Sequence, residues 1–413
     1  MKLSKALKSF LPGIFLLGFN IGTGSVTAMA KAGATYGMSL LWTILLSCLV
    51  TYFMIITYGR FTLITGETAL YAFRKHIHPA VGIFFIVAMT ATVSGGVIGL
   101  VGIIADVSYE WSKQIIPGGI SQIYFALFFI SLVYLIFWKG TTDFFQRVLA
   151  IFVAIMAASF IINFFILTPS AGQILKGLVP NIPRVAADQG KGPFLVIASM
   201  VGTTVASVLF IVRTTLVKEA GWTIKDLHLE RRDAAVSSFM MFVISGAIMA
   251  AAAGTLYIKG VGLYEASQMV DLLQPLAGRF AVTIFVFGIV AAGVSSQFPN
   301  ILLLPWLLCD YNQSKRDMTL PQYRIMVFLI SLLGLVVPVF HAKPVIVMIA
   351  SQAFGALLLP VTVFCIIYLG NRKDVMGEEN VNKLGTNIIL FLILIFAVYM
   401  CGSGILGLLR TIL

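Results

Sequence analysis

The chain has 413 residues, 59% of them hydrophobic and 11% charged, with a mean hydropathy of +1.00 and a formal net charge of +12. Soluble domains carry about 25% charged residues, so these proportions exclude a soluble globular protein and specify an all-α membrane protein. The basic excess is then a distribution across a bilayer rather than a surface for nucleic acid.

Apolar runs predict eleven transmembrane helices, at about 10–34, 37–58, 79–104, 121–138, 145–168, 193–216, 234–257, 280–308, 323–340, 343–370 and 385–409. Each reaches or approaches the ~20 residues that cross ~30 Å of hydrocarbon. Of the 28 Lys and Arg residues, 19 fall at one set of alternate ends and 9 at the other. The positive-inside rule therefore places this chain in the cell (inner, cytoplasmic) membrane with its N-terminus cytoplasmic and its C-terminus outside. The start has a second reading, because Lys2–Lys8, Phe10–Phe19 and Ala28-Met29-Ala30 also fit a cleaved leader. A break at Gly22–Ser25, matched later in the chain, favours a retained helix.

The first run is interrupted at Ile21-Gly22-Thr23-Gly24-Ser25-Val26. Two glycines so close cost about 1 kcal/mol each relative to alanine in a helix. In hydrocarbon, freed amides and carbonyls persist only where protein or a water-filled cavity meets them. A second interruption falls at Val201-Gly202-Thr203-Thr204-Val205-Ala206-Ser207. Paired breaks in two halves are the sequence mark of a transporter's binding site. The loop at about 169–192 separates five spans from six. The plan is a 5+5 inverted repeat (about 10–168 and 193–370) with discontinuous first and sixth helices. An extra helix at 385–409 completes a single domain, 1–413.

Several ordered segments carry a family resemblance: Ala32–Trp42 between the first two spans, Leu216-Val217-Lys218-Glu219 after the sixth, and Ala291-Ala292-Gly293 with Ser295-Ser296 in the eighth. Ser351-Gln352 with Leu359-Pro360 in the tenth and Met376-Gly377 beyond it complete the set. Together they resemble the Nramp divalent-metal transporters. That resemblance implies a LeuT-like fold and alternating-access transport of a divalent metal ion. It also exposes departures. The family's first break reads Asp-Pro-Gly-Asn, with metal-binding Asp and Asn, where this chain has Gly22, Thr23, Gly24 and Ser25. The family's second break reads Met-Pro-His, against Ala206, Ser207 and Val208 here. The acids that serve proton coupling on the third helix are replaced around Thr92 and Gly95.

The residues agree with that loss. All sixteen acids fall in predicted loops or near span ends. The candidate substrate site is Asn20, Gly22, Thr23, Gly24, Ser25, Thr203, Thr204, Ala206, Ser207 and Gln352, with a weak metal site at Thr23, Ser25, Thr204 and Gln352. Such a set offers neutral oxygens, whereas a dehydrated divalent ion wants carboxylates, imidazole or thiolate. Arg213, seven residues past Ala206, is a candidate pathway cation that would oppose a passing metal, or a snorkelling interface residue. Gln352 is either a site residue or a helix–helix hydrogen bond.

Cys48, Cys309, Cys365 and Cys401 read as small core residues, and the four histidines are scattered through loops. There is no P-loop and no nucleophile–base pair, so neither an enzyme nor an ATP-driven pump is indicated, and no cofactor is expected. The expected function is Nramp-like secondary transport of a weakly bound divalent metal without proton coupling. A permease for a small zwitterion or anion, or a substrate sensor that no longer transports, are the alternatives. The expected partners are a small solute or metal ion and the lipid bilayer, the chain acting as a monomer.

Overall fold

The computed structural model describes residues 22–113, 115–139, 158, 170–183 and 193–412, apart from 261, 264, 266, 267 and 269–273. Among them the secondary structure is helical throughout. The main helices are α1 (Thr23–Tyr36), α2 (Leu41–Thr65), α3 (Pro79–Lys113), α4 (Gln122–Lys139), α5 (Phe194–Thr204) and α6 (Ser207–Glu219). They continue with α7 (Leu227–Ala252), α8 (Gln274–Asn312), α9 (Pro321–Leu332), α10 (Pro344–Ala356), α11 (Leu359–Gly370) and α12 (Leu384–Ile412).

The described residues contain eight helical stretches long and apolar enough to cross a membrane, fewer than the eleven expected. Two of the differences lie outside the described residues: the span at 145–168, save residue 158, and residues 10–21 of the first. The third is length, since the apolar helix Gln122–Trp138 is one turn or so shorter than a full crossing. α12 exposes Phe391, Leu392, Ile395 and Val398. A face so apolar and uncovered is one that hydrocarbon wets.

Both predicted interruptions sit at helix ends. α1 begins at Thr23, preceded by an extended Gly22 (φ −98°, ψ −169°). The strands of apolar sequence around the second break divide into α5 and α6 at Val205 (φ −106°, ψ 44°) and Ala206 (φ −69°, ψ 124°). The run Thr203-Thr204-Val205 is β-branched, which stiffens χ1 against the preceding turn and weakens helix locally. The tenth span is also divided, at Leu357–Leu358, with Pro360 in the first turn of α11.

Small residues let these segments approach closely. A Cβ on Gly33 would lie 2.2 Å from the Met249 carbonyl oxygen, so α1 rests on the backbone of α7. A Cβ on Gly202 would lie 1.8 Å from the Gln352 carbonyl oxygen, so α5 rests on α10 in the same way. On α3, Gly95 and Gly99 face Ser351 and the Met348 backbone, and the Ser351 hydroxyl donates to the Thr92 carbonyl at 2.7 Å. The place where a third-helix acid was missed is thus filled by tight packing against α10.

Gly202→Ala is expected to destabilise the protein by about 1–3 kcal/mol, because backbone rather than a flexible side chain blocks the new methyl. Thermal unfolding in detergent reads this out. A Gly202→Ala midpoint equal to wild type would show that α5 and α10 are not in this contact.

Candidate functional site

The two helix starts open onto one cavity. Gly22, Thr23, Gly24 and Ser25 form one wall, and Gly202, Thr203, Ala206, Ser207 and Val208 another. α3 contributes Met89, Thr92, Val93, Gly96 and Leu100; α8 contributes Ser296 and Asn300; and Met348, Gln352, Gly355 and Leu358 close the remaining side. None of these residues carries a formal charge.

Most of the sequence-predicted residues therefore meet in one place: Gly22, Thr23, Gly24, Ser25, Thr203, Ala206, Ser207 and Gln352. Asn20 lies outside the described residues. Thr204 turns away from the cavity, and its carbonyl accepts the Thr51 hydroxyl of α2 at 2.8 Å. The candidate metal set Thr23, Ser25, Thr204 and Gln352 thereby loses one member. Ser207 and Thr362 join their hydroxyls at 2.7 Å, and the Tyr58 hydroxyl donates to the Thr362 carbonyl at 2.8 Å. These bonds pin the start of α6 to α11 and α2. Gln352 lies over the first break: a Cβ on Gly24 would be 2.5 Å from its Nε2, which donates weakly to Met348 Sδ at 3.6 Å.

The expectation of a site offering only neutral oxygens is corrected by Met89 and Met348, which line the cavity from α3 and α10, with Asn300 from α8 beside them. The soft sulfur and the amide missing from the two breaks stand instead on neighbouring helices. Met348 was legible in principle, one turn before Gln352, as was Asn300, a lone amide in an apolar run. Met89 was not, because nothing in sequence separates it from the other core methionines.

Arg213 departs from both of its readings. It neither snorkels nor lines the cavity; it is fully buried. Its Nε donates to Glu230 Oε1 at 3.0 Å, Nη2 to Glu230 Oε2 at 2.5 Å and Nη1 to Asp233 Oδ2 at 2.5 Å. Both acids were expected in a loop or near a span end. They lie in the first two turns of α7, which begins at Leu227 and carries its charges inward to the arginine. Gly59 makes room for them, since a Cβ there would fall 2.0 Å from Glu230 Oε1. A lone buried cation below the site is thus replaced by an ion cluster with two carboxylates.

The remaining electrostatics come from the backbone. α1 and α6 both start at the cavity, and neither has a side-chain cap. Helix starts carry about half a positive charge. Metal-ligating groups do not gather here: among the described residues no cluster of three His, Cys, Asp or Glu is placed to hold a metal ion.

Residues 14–406 match the family described as natural resistance-associated macrophage protein-like, Nramp. The chain belongs to the Nramp family. The divalent metal cation transporter MntH of Staphylococcus saprophyticus is 21% identical over 417 residues, which cover 95% of this chain and 91% of that protein. MntH of Klebsiella pneumoniae is 23% identical over 287 residues, covering 68% of this Nramp chain and 67% of its own. Among solved structures, the Eremococcus coleocola manganese transporter bound to an aromatic bis-isothiourea substituted compound has a TM-score of 0.76 at 16% identity, covering 99% of this chain and 90% of that one. Mhp1 in its inward-facing conformation has a TM-score of 0.62 at 14% identity, covering 97% and 88%. The fold is the LeuT-like one that the Nramp resemblance implied, in a multi-pass membrane protein.

Arg213→Ala is expected to cost about 3–5 kcal/mol, because it strands two buried carboxylates. In detergent this variant should unfold far below wild type or fail to yield a monodisperse protein. A wild-type unfolding midpoint for Arg213→Ala would contradict the ion cluster.

Proposed function

We propose that this Nramp-family chain is a secondary transporter that moves a divalent metal ion by alternating access, holding it weakly and without proton coupling. The observation that carries the reading is the cavity at the two helix breaks, which gathers eight of the ten candidate residues and no formal charge. Family membership supports the cargo class, since the relatives matched along the chain are divalent metal cation transporters. The donor set of thioethers, hydroxyls and amides supports weak binding, because no anionic oxygen answers the charge of the ion.

The absence of coupling follows from the same wall. A proton relay needs a titratable group in the pathway, and the described lining offers none. Arg213, Glu230 and Asp233 are committed to one another. The full architecture in this reading has eleven helices in a 5+5 inverted repeat plus one. It sits as a monomer in the cytoplasmic membrane, its N-terminus inside and its C-terminus outside.

Reconstitution tests this with a manganese-sensitive dye and a pH dye inside proteoliposomes. Manganese entry is expected with half-saturation on the order of 10⁻⁴–10⁻³ M, the range of weak oxygen-donor sites, and with no change of internal pH. Acidification in step with manganese would overturn the uncoupled mechanism. Failure to move manganese down a steep gradient would overturn the cargo.

A further inference from the structure

The helices that begin at the cavity, α1 and α6, run for 14 and 13 residues. The amides of Thr23, Gly24 and Ser25 on one, and of Ser207 and Val208 on the other, are first-turn donors with no acceptor inside their own helix. All five residues line the cavity. Orphan amides at a helix start, reinforced by the macrodipole, select anions.

The opposing end is partly occupied. The carboxyl terminus of α5 reaches the same break, where the Val201 carbonyl accepts the Val205 N–H at 2.7 Å and the Thr204 carbonyl accepts the Thr51 hydroxyl. A bare divalent cation would enter against two positive helix starts with no carboxylate beside them.

Two side chains give an independent sign of a ligand. Thr23 and Ser296 line the cavity at 2% and 5% exposure, and neither hydroxyl has a hydrogen-bond partner. Buried hydroxyls are nearly always paired. These two stand on different helices, α1 and α8, in residues that line the same cavity as the orphan amides.

We infer that the cavity holds a carboxylate subsite, in which a small solute sets its carboxylate against the amino ends of α1 and α6 and accepts hydrogen bonds from the Thr23 and Ser296 hydroxyls. This rests on the reading of the cavity as the transport site. The substrate itself then supplies the negative charge that Gly22 does not. The carboxylate has two possible sources, a free organic acid anion or a carboxylate carried as ligand on a divalent metal ion. Met89, Met348 and Leu358 leave an apolar side for the rest of a short solute.

Thermal unfolding of the full-length protein in lipid nanodiscs, titrated with sodium acetate, manganese chloride, both together, and sodium chloride at matched ionic strength, tests the subsite. Acetate is expected to raise the midpoint saturably, by on the order of 2 °C or more, and chloride is not. Ser296→Ala and Thr23→Val, which remove only unpaired hydroxyls, should fold normally and weaken the acetate response at least tenfold. Gly22→Asp places a carboxylate at the start of α1, and should abolish the acetate response while strengthening that to manganese. A shift with acetate alone assigns a free carboxylate; a shift only with acetate and manganese together assigns a metal-borne one. Stabilisation by manganese alone, with acetate inert throughout, overturns the subsite but leaves metal transport standing, as does an equal shift from chloride. If no probe shifts the midpoint the subsite also falls, and the manganese flux assay then decides separately whether the transport reading falls with it.

Discussion

Hydrocarbon offers no hydrogen-bond partner to a freed backbone group, and the architecture around the two breaks follows from meeting that demand. Some groups are met by neighbouring helices: Thr51 supplies a hydroxyl to the Thr204 carbonyl, and Ser207 is held by Thr362, whose carbonyl takes the Tyr58 hydroxyl. The first-turn amides of α1 and α6 have no acceptor inside their own helices, and the residues that carry them line one shared cavity. An interruption that would be costly against lipid becomes a binding surface when the space in front of it is enclosed.

Charge is managed by separation. The strongest buried charges, Arg213, Glu230 and Asp233, lie off the cavity and are hydrogen-bonded to one another, with Gly59 yielding the space they occupy. Such clusters contribute little net stability compared with apolar packing, yet losing one partner is severe. Their position ties α6 to α7, with α2 packed against them at Gly59. The cavity is left electrically governed by helix ends rather than by side chains. That is the main departure of this chain from the acidic first break of the family it belongs to.

The start of α1 and the second break were legible because glycine pairs and β-branched runs have local causes, and both fell within a residue or two of their structural places. Seven cavity residues followed from them directly, and Gln352 came from the tenth span. Thr204 was misplaced because a one-residue rotation in a helix swings a side chain by about 100°, which sequence cannot fix without knowing where α2 lies. The ion cluster was missed because Glu230, Arg231, Arg232 and Asp233 look like a solvated segment before the span until Arg213, seventeen residues before Glu230, is placed against them. Met89 was invisible for a different reason. A thioether in an apolar helix has the same pattern whether it packs in a core or faces a ligand, and the distinction is made by the neighbouring helices. The division of the tenth span at Leu357–Leu358 had a visible cause in Pro360, which limits helix N-terminal to itself.

The central claim is that both interruptions face one water-accessible cavity. The most direct measurement is thiol labelling by a small methanethiosulfonate reagent, in a background with Cys48, Cys309, Cys365 and Cys401 replaced. Ser25→Cys and Thr203→Cys are predicted to react, and Thr204→Cys, one residue further on, to stay protected. Protection of Ser25→Cys and Thr203→Cys alike, or equal reaction at all three positions, would contradict the account.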